Sequence, residues 1–80
     1  MSEILKFKGR LAEKELELKE QELRIRGLIK SIRSNLDPFD DIEFLDAELV
    51  RSESFELADL KIKYVETQAK IKAIKKALGR

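Results

Sequence analysis

Apolar side chains recur every seven residues on either side of a single proline: Ile4, Leu11, Leu18, Ile25 and Ile32 before Pro38, and Val50, Leu57, Tyr64, Ile71 and Leu78 after it. A period of seven, with charged residues filling the gaps, belongs to helices that pack along a shared seam. Strong punctuation occurs only in the middle, at Ser34-Asn35-Leu36-Asp37-Pro38. Asp37 suits an N-cap, Pro38 suits the first helical position because its missing N–H has no partner there, and Asp40 and Asp41 place negative charge at the positive end of a new helix. The sequence therefore predicts one helix over about 2–34, a turn at 35–37 and a second helix over about 38–78. At 1.5 Å per residue each is roughly 50 Å long. A turn that short leaves an all-α antiparallel two-helix hairpin, coiled-coil-like, as the natural geometry.

Leu16 and Leu18, Leu23 and Ile25, and Leu60, Ile62 and Tyr64 also alternate with charged residues, which is the pattern of a half-buried strand. Helix is preferred because the intervening residues are Glu, Lys and Arg, and no Gly, Pro or Asn cluster bounds the runs. Pairs spaced four apart point the same way: Glu15 with Lys19, Glu20 with Arg24, Glu22 with Arg26, Asp59 with Lys63 and Glu66 with Lys70.

On a helix, residues two apart face nearly opposite directions, so the alternation gives each helix two apolar sides. The main seam of the first helix is Ile4, Phe7, Leu11, Leu18, Ile25, Leu28, Ile29 and Ile32, backed by Leu5, Ala12, Leu16 and Leu23. That of the second is Ile42, Leu45, Leu49, Leu57, Leu60, Tyr64, Ile71, Ile74 and Leu78, backed by Phe44, Ala47, Phe55, Ala58, Ile62, Val65, Ala69 and Ala73. Two isolated helices cover one side each, so the second sides need another surface. The expected answer is a homodimer that closes a four-helix bundle; a groove for a different protein's helix is the alternative. The candidate contact residues are Leu16, Leu23, Phe44, Phe55, Ala58, Ile62, Val65 and Ala69. Lys14 and Gln21 interrupt the first seam and Glu53 the second. Polar groups at such positions set register or oligomer state, and pairing about Pro38 predicts a contact between Gln21 and Glu53.

Charge sharpens the picture. The 17 basic and 16 acidic residues of the 80-residue chain nearly cancel, yet residues 37–56 hold one basic and eight acidic groups. Folding the hairpin brings residues 1–14 beside 61–80, an open end with eleven basic and three acidic groups. The turn end carries Asp37, Asp40, Asp41, Glu43, Asp46 and Glu48. The result is a rod of opposite charge at its tips. Lys6, Lys8, Arg10, Lys70, Lys72, Lys75 and Lys76 are the candidate contacts to an anion or nucleic acid, and an acidic protein is a further candidate partner.

Candidate chemistry is sparse. There is no cysteine and no histidine, which removes disulfides, thiolate metal sites, the usual zinc ligand and the usual general base, and no cofactor is expected. Uninterrupted apolar runs reach only two residues, so no membrane span or signal peptide is placed, and a cytoplasmic protein is expected. Small metal-free helical enzymes such as the chorismate mutases need arginines spaced to clamp two carboxylates; Arg10, Lys14, Gln21, Arg24 and Glu53 do not give that spacing on one face, and no enzyme is expected. Gly27, inside the first helix, marks a close approach, a slight kink or a surface position, and Gly79 is a C-cap candidate.

Asn35-Leu36-Asp37-Pro38-Phe39-Asp40 and Lys75-Lys76-Ala77-Leu78-Gly79-Arg80 resemble the corresponding stretches of short coiled-coil proteins encoded in Mu-like prophages. The resemblance implies a small phage accessory protein of undefined activity, with no site residues to transfer. The sequence reading is thus a self-associating structural or protein-interaction module. Its rival is a nucleic-acid-associated accessory protein that binds through the basic open end.

Overall fold

The computed structural model describes residues 3–79 of the chain. Ser2, where the sequence starts the first helix, and Arg80, one of the basic groups of the open end, lie outside them. Helix α1 spans Glu3–Asn35 and helix α2 spans Ala47–Ala77, with a single 3-10 turn at Ile42–Phe44 between them. The two helices pack against each other as an antiparallel hairpin measuring 61 × 18 × 14 Å, which is little more than one helix thick.

The connection is longer than the sequence predicts. Asp37 and Pro38 do not start the second helix. The Asp37 side chain accepts from the Phe39 N–H at 2.9 Å, and the Asp40 N–H donates to the Asp37 carbonyl at 3.2 Å. Asp followed by Pro is equally the opening of a β-turn, with Pro at its second position, and that use prevails here. The chain then makes its 3-10 turn, with the Phe44 N–H on the Asp41 carbonyl and the Leu45 N–H on that of Ile42. Only at Asp46 does α2 receive its cap, the carboxylate accepting from the Leu49 N–H at 3.0 Å. At the other end Gly79 adopts φ +78° and its N–H reaches the Lys76 carbonyl, a left-handed helix stop that glycine accommodates without strain.

The seam follows the 3–4 spacing of a coiled coil. On α1 the inward positions are Phe7, Leu11, Lys14, Leu18, Gln21, Ile25, Leu28, Ile32 and Asn35; on α2 they are Val50, Glu53, Leu57, Leu60, Tyr64, Thr67, Ile71, Ile74 and Leu78. Five residues expected in the seam lie outside it or at its ends. Ile29 is exposed, one position round the helix from Leu28, and Ile4 is exposed near the end of α1, where α2 stops. Ile42 and Leu45 belong to the connection rather than to a helix, and Leu49, in the first turn of α2, is exposed too.

Two side-chain contacts fix the register. Ser31 Oγ donates to Glu53 Oε1 at 2.9 Å, and Arg24 donates through Nε and Nη2 to Glu56 Oε1 at 2.9 and 2.7 Å. Both centre the hairpin near Asp41, not Pro38. The expected Gln21 to Glu53 contact is therefore not formed: Glu53 serves Ser31, and Gln21 lies level with Leu60 and Tyr64. Arg24 likewise turns across to Glu56 instead of to Glu20. Of the five expected pairs spaced four apart, the structure forms Glu22 with Arg26, at 2.9 Å, among the described residues.

Gln21 is a weak point in this seam. Its Oε1 is buried and accepts no hydrogen bond from the described residues. A buried acceptor left unpaired costs about 1–3 kcal/mol, and an apolar side chain of similar size escapes that cost. Gln21→Leu is expected to stabilise the protein by about 1–2 kcal/mol, and a lower midpoint in urea denaturation would contradict the seam as described. Gly27 is exposed, with nothing within 4 Å of an added Cβ. It is a surface position in mid-helix, so Gly27→Ala is expected to raise stability by about 0.5–1 kcal/mol through lower backbone entropy in the unfolded chain. The same denaturation series measures it.

Candidate interaction surface

The hairpin accounts for one side of each helix. Among the described residues, Leu11, Leu28 and Ile71 are the buried apolar side chains, while fourteen large apolar side chains are exposed. That imbalance locates the candidate site on the outside. Leu16 and Leu23, seven apart on α1, are 59% and 64% exposed; Phe55 and Ile62, seven apart on α2, are 64% and 57% exposed. Ala58, Val65 and Ala69 are exposed beside them, so that Phe55, Ala58, Ile62, Val65 and Ala69 repeat the 3–4 spacing of a second seam on the outer side of α2. Phe44 does not join this stripe. It lies in the 3-10 turn, 77% exposed, because α2 begins three residues after it.

Leu16 lies between the inward-facing Lys14 and Leu18, and Ile62 between the inward-facing Leu60 and Tyr64, so each stands about half a turn from the seam. The outer stripes of α1 and α2 consequently point away from each other, along opposite edges of the ribbon. A partner on one edge covers one stripe. Between the edges, a shallow hollow of about 360 Å³ lined by Ile25, Ile29, Tyr64 and Val65, with Glu22, Arg26, Lys61 and Gln68 around them, opens on one broad face.

The tips carry the charge. Lys6, Lys8 and Arg10 near the start of α1 and Lys70, Lys72, Lys75 and Lys76 near the end of α2 are all exposed, and none takes part in an ion pair among the described residues. Lys75 and Lys76 occupy the last turn of α2, where cations offset the negative helix end. At the far tip the exposed carboxylates of the connection surround exposed apolar groups: Phe39 is 93% and Ile42 86% exposed. The sequence marked the acidity of this end and named Phe44 as a contact, but placed them on a helix and not in a loop, because Pro38 pointed to a helix running through it. Asp46, followed by Ala47, Glu48 and Leu49, was the available signal of a later start.

The polar residues weighed as a catalytic set do not converge. Arg10 and Arg24 are separated by about 20 Å along α1. Lys14 pairs with Glu17 at 2.9 Å, Arg24 with Glu56, and Glu53 with Ser31. Thr67, which the sequence reading passed over, is buried in the seam and donates from Oγ1 to the Lys63 carbonyl one turn back, so its hydroxyl is satisfied within its own helix. Among the described residues no group of His, Cys, Asp or Glu is placed to hold a metal ion, and no helix is long and apolar enough to cross a membrane. No family model, curated protein or solved structure matches the chain.

Proposed function

We propose that the protein is a structural or protein-interaction module that works by self-association, as a homodimer, through its outward apolar stripes. The observation that supports this is the excess of exposed over buried apolar side chains in a body only 14 Å thick in its shortest dimension. Completing the burial of a half-exposed Phe, Ile or Val contributes about 1–2 kcal/mol, and a symmetric contact counts each residue twice. No catalytic step is assigned to it. The resemblance to coiled-coil proteins of Mu-like prophages is in keeping with a small cytoplasmic accessory protein whose contacts are its activity.

A second reading has its own support in the exposed cations of the open end, the seven candidates with Lys61 and Lys63, which are free of ion pairing among the described residues. Such a tip attracts phosphate backbones or acidic proteins in a salt-dependent way.

Two experiments separate these readings. Ile62→Asp, at an exposed site, is expected to retain most of the helical circular dichroism while the mass measured by light scattering falls to that of one chain; an unchanged mass rules out a contact at Ile62. Retention on heparin that is lost at moderate salt and weakened at least several-fold by Lys72→Glu with Lys76→Glu supports the second reading. Passage through heparin at low salt argues against it.

A further inference from the structure

The geometry points to an arrangement for the second copy: it lies antiparallel along the outer side of α2, centred on Ile62. This rests on the self-association proposed above and adds the direction and the face. Helix α2 spans Ala47–Ala77, and Ile62 is its midpoint, so a reversed copy centred there overlaps the full helix.

The residues at steps of seven along that side are Glu48, Phe55, Ile62, Ala69 and Lys76, all exposed. Their order is self-complementary when reversed. Ile62 meets its counterpart, the large Phe55 meets the small Ala69, and Glu48 meets Lys76. Val65 meets Ala58 beside them, again large on small. A twofold contact demands this reciprocity, since residue i touches j wherever j touches i. The outer side of α1 lacks it. Its steps of seven are Gly9, Leu16, Leu23 and Lys30, and reversal sets Lys30 against Gly9, with no acid to receive it.

The charged tips select the same direction. An antiparallel copy sets the acidic connection of one rod beside the basic open end of the other, whereas a parallel copy sets like charge on like. The tips of one rod stand some 60 Å apart on a body 61 Å long, far beyond the roughly 10 Å range of unscreened attraction at ordinary salt, so they do not compensate each other, whereas an antiparallel neighbour brings opposite tips together. Continuing the 3–4 spacing beyond Ala58 and Val65 sets Arg51 against Lys72 at the ends of the contact, and the rim sets Asp59 against Glu66, both pairs of like charge. They are exposed, where such repulsion is small, and they leave the apolar centre clear.

Because the chain has no cysteine, single cysteines report the arrangement in the full-length protein. Ser52→Cys and Ala73→Cys alter exposed sites on the rim, which the antiparallel contact brings level across the two copies. Mixed and treated with a short bismaleimide, the two variants are expected to give the 52–73 product in clear excess over 52–52 and 73–73. In the same buffer, light scattering of unmodified protein is expected to give a dimer, of Leu23→Asp still a dimer, and of Ile62→Asp a single chain. A dimer that cross-links 52–52 and 73–73, or that Leu23→Asp dissociates, overturns the arrangement while leaving self-association standing. Unmodified protein that stays a single chain, including one that gains mass only with a different helical protein, overturns both.

Discussion

A helix in a two-helix hairpin can bury one side, and each helix of this chain is apolar on two. That mismatch governs the rest of the structure. The 3–4 spacing of Leu11, Leu18, Ile25 and Leu28 against Leu57, Leu60, Tyr64 and Ile71 closes a single seam, and the register follows from it. What is left over, Leu16 and Leu23 on one edge and Phe55, Ile62 and Val65 on the other, stays in water in the lone chain. Small domains bury a modest fraction of their apolar surface at best, and a ribbon with no second layer buries less. Fourteen large apolar side chains are left exposed among the described residues, surface that contact with another molecule can bury.

Polar groups in and beside the seam pin the pairing. Ser31 with Glu53 and Arg24 with Glu56 reach from helix to helix, and a shift by one turn separates both pairs. The exposed Arg24–Glu56 ion pair contributes little to stability, typically below about 1 kcal/mol, and the Ser31–Glu53 hydrogen bond about 1 kcal/mol, so their main role here is specificity of register. Gln21 adds the opposite element, a buried acceptor without a partner among the described residues. The seam is thus specified more firmly than it is stabilised, which suits a module completed by association.

The fold was legible because the period of seven and the helix-forming fillers agree with one another across both halves of the chain. Leu16 and Leu23, Phe55 and Ile62 were legible as a second apolar side for the same reason, since a fixed period determines which residues share a face. The start of α2 was not. Asp37 and Asp46 both carry the chemistry of an N-cap, and Pro38 favours a helix start and a β-turn equally, so only the competition between eleven residues of connection and nine more of helix decides between them. The later start moved the hairpin centre from Pro38 to near Asp41, and with it Glu53 moved from Gln21 to Ser31. Phe44 and Ile42 left their helical faces in the same step. The opposed direction of the two outer stripes required the packed hairpin, because periodicity gives the angle of a residue on its own helix and not the direction of that helix's partner.

The claim at the centre of this account is that the chain is incomplete alone. Light scattering of the unmodified protein over a dilution series tests it most directly. The account predicts twice the 9.3 kDa chain mass at high concentration, falling toward 9.3 kDa on dilution. A mass of 9.3 kDa at every concentration, with the helical spectrum intact, would contradict it.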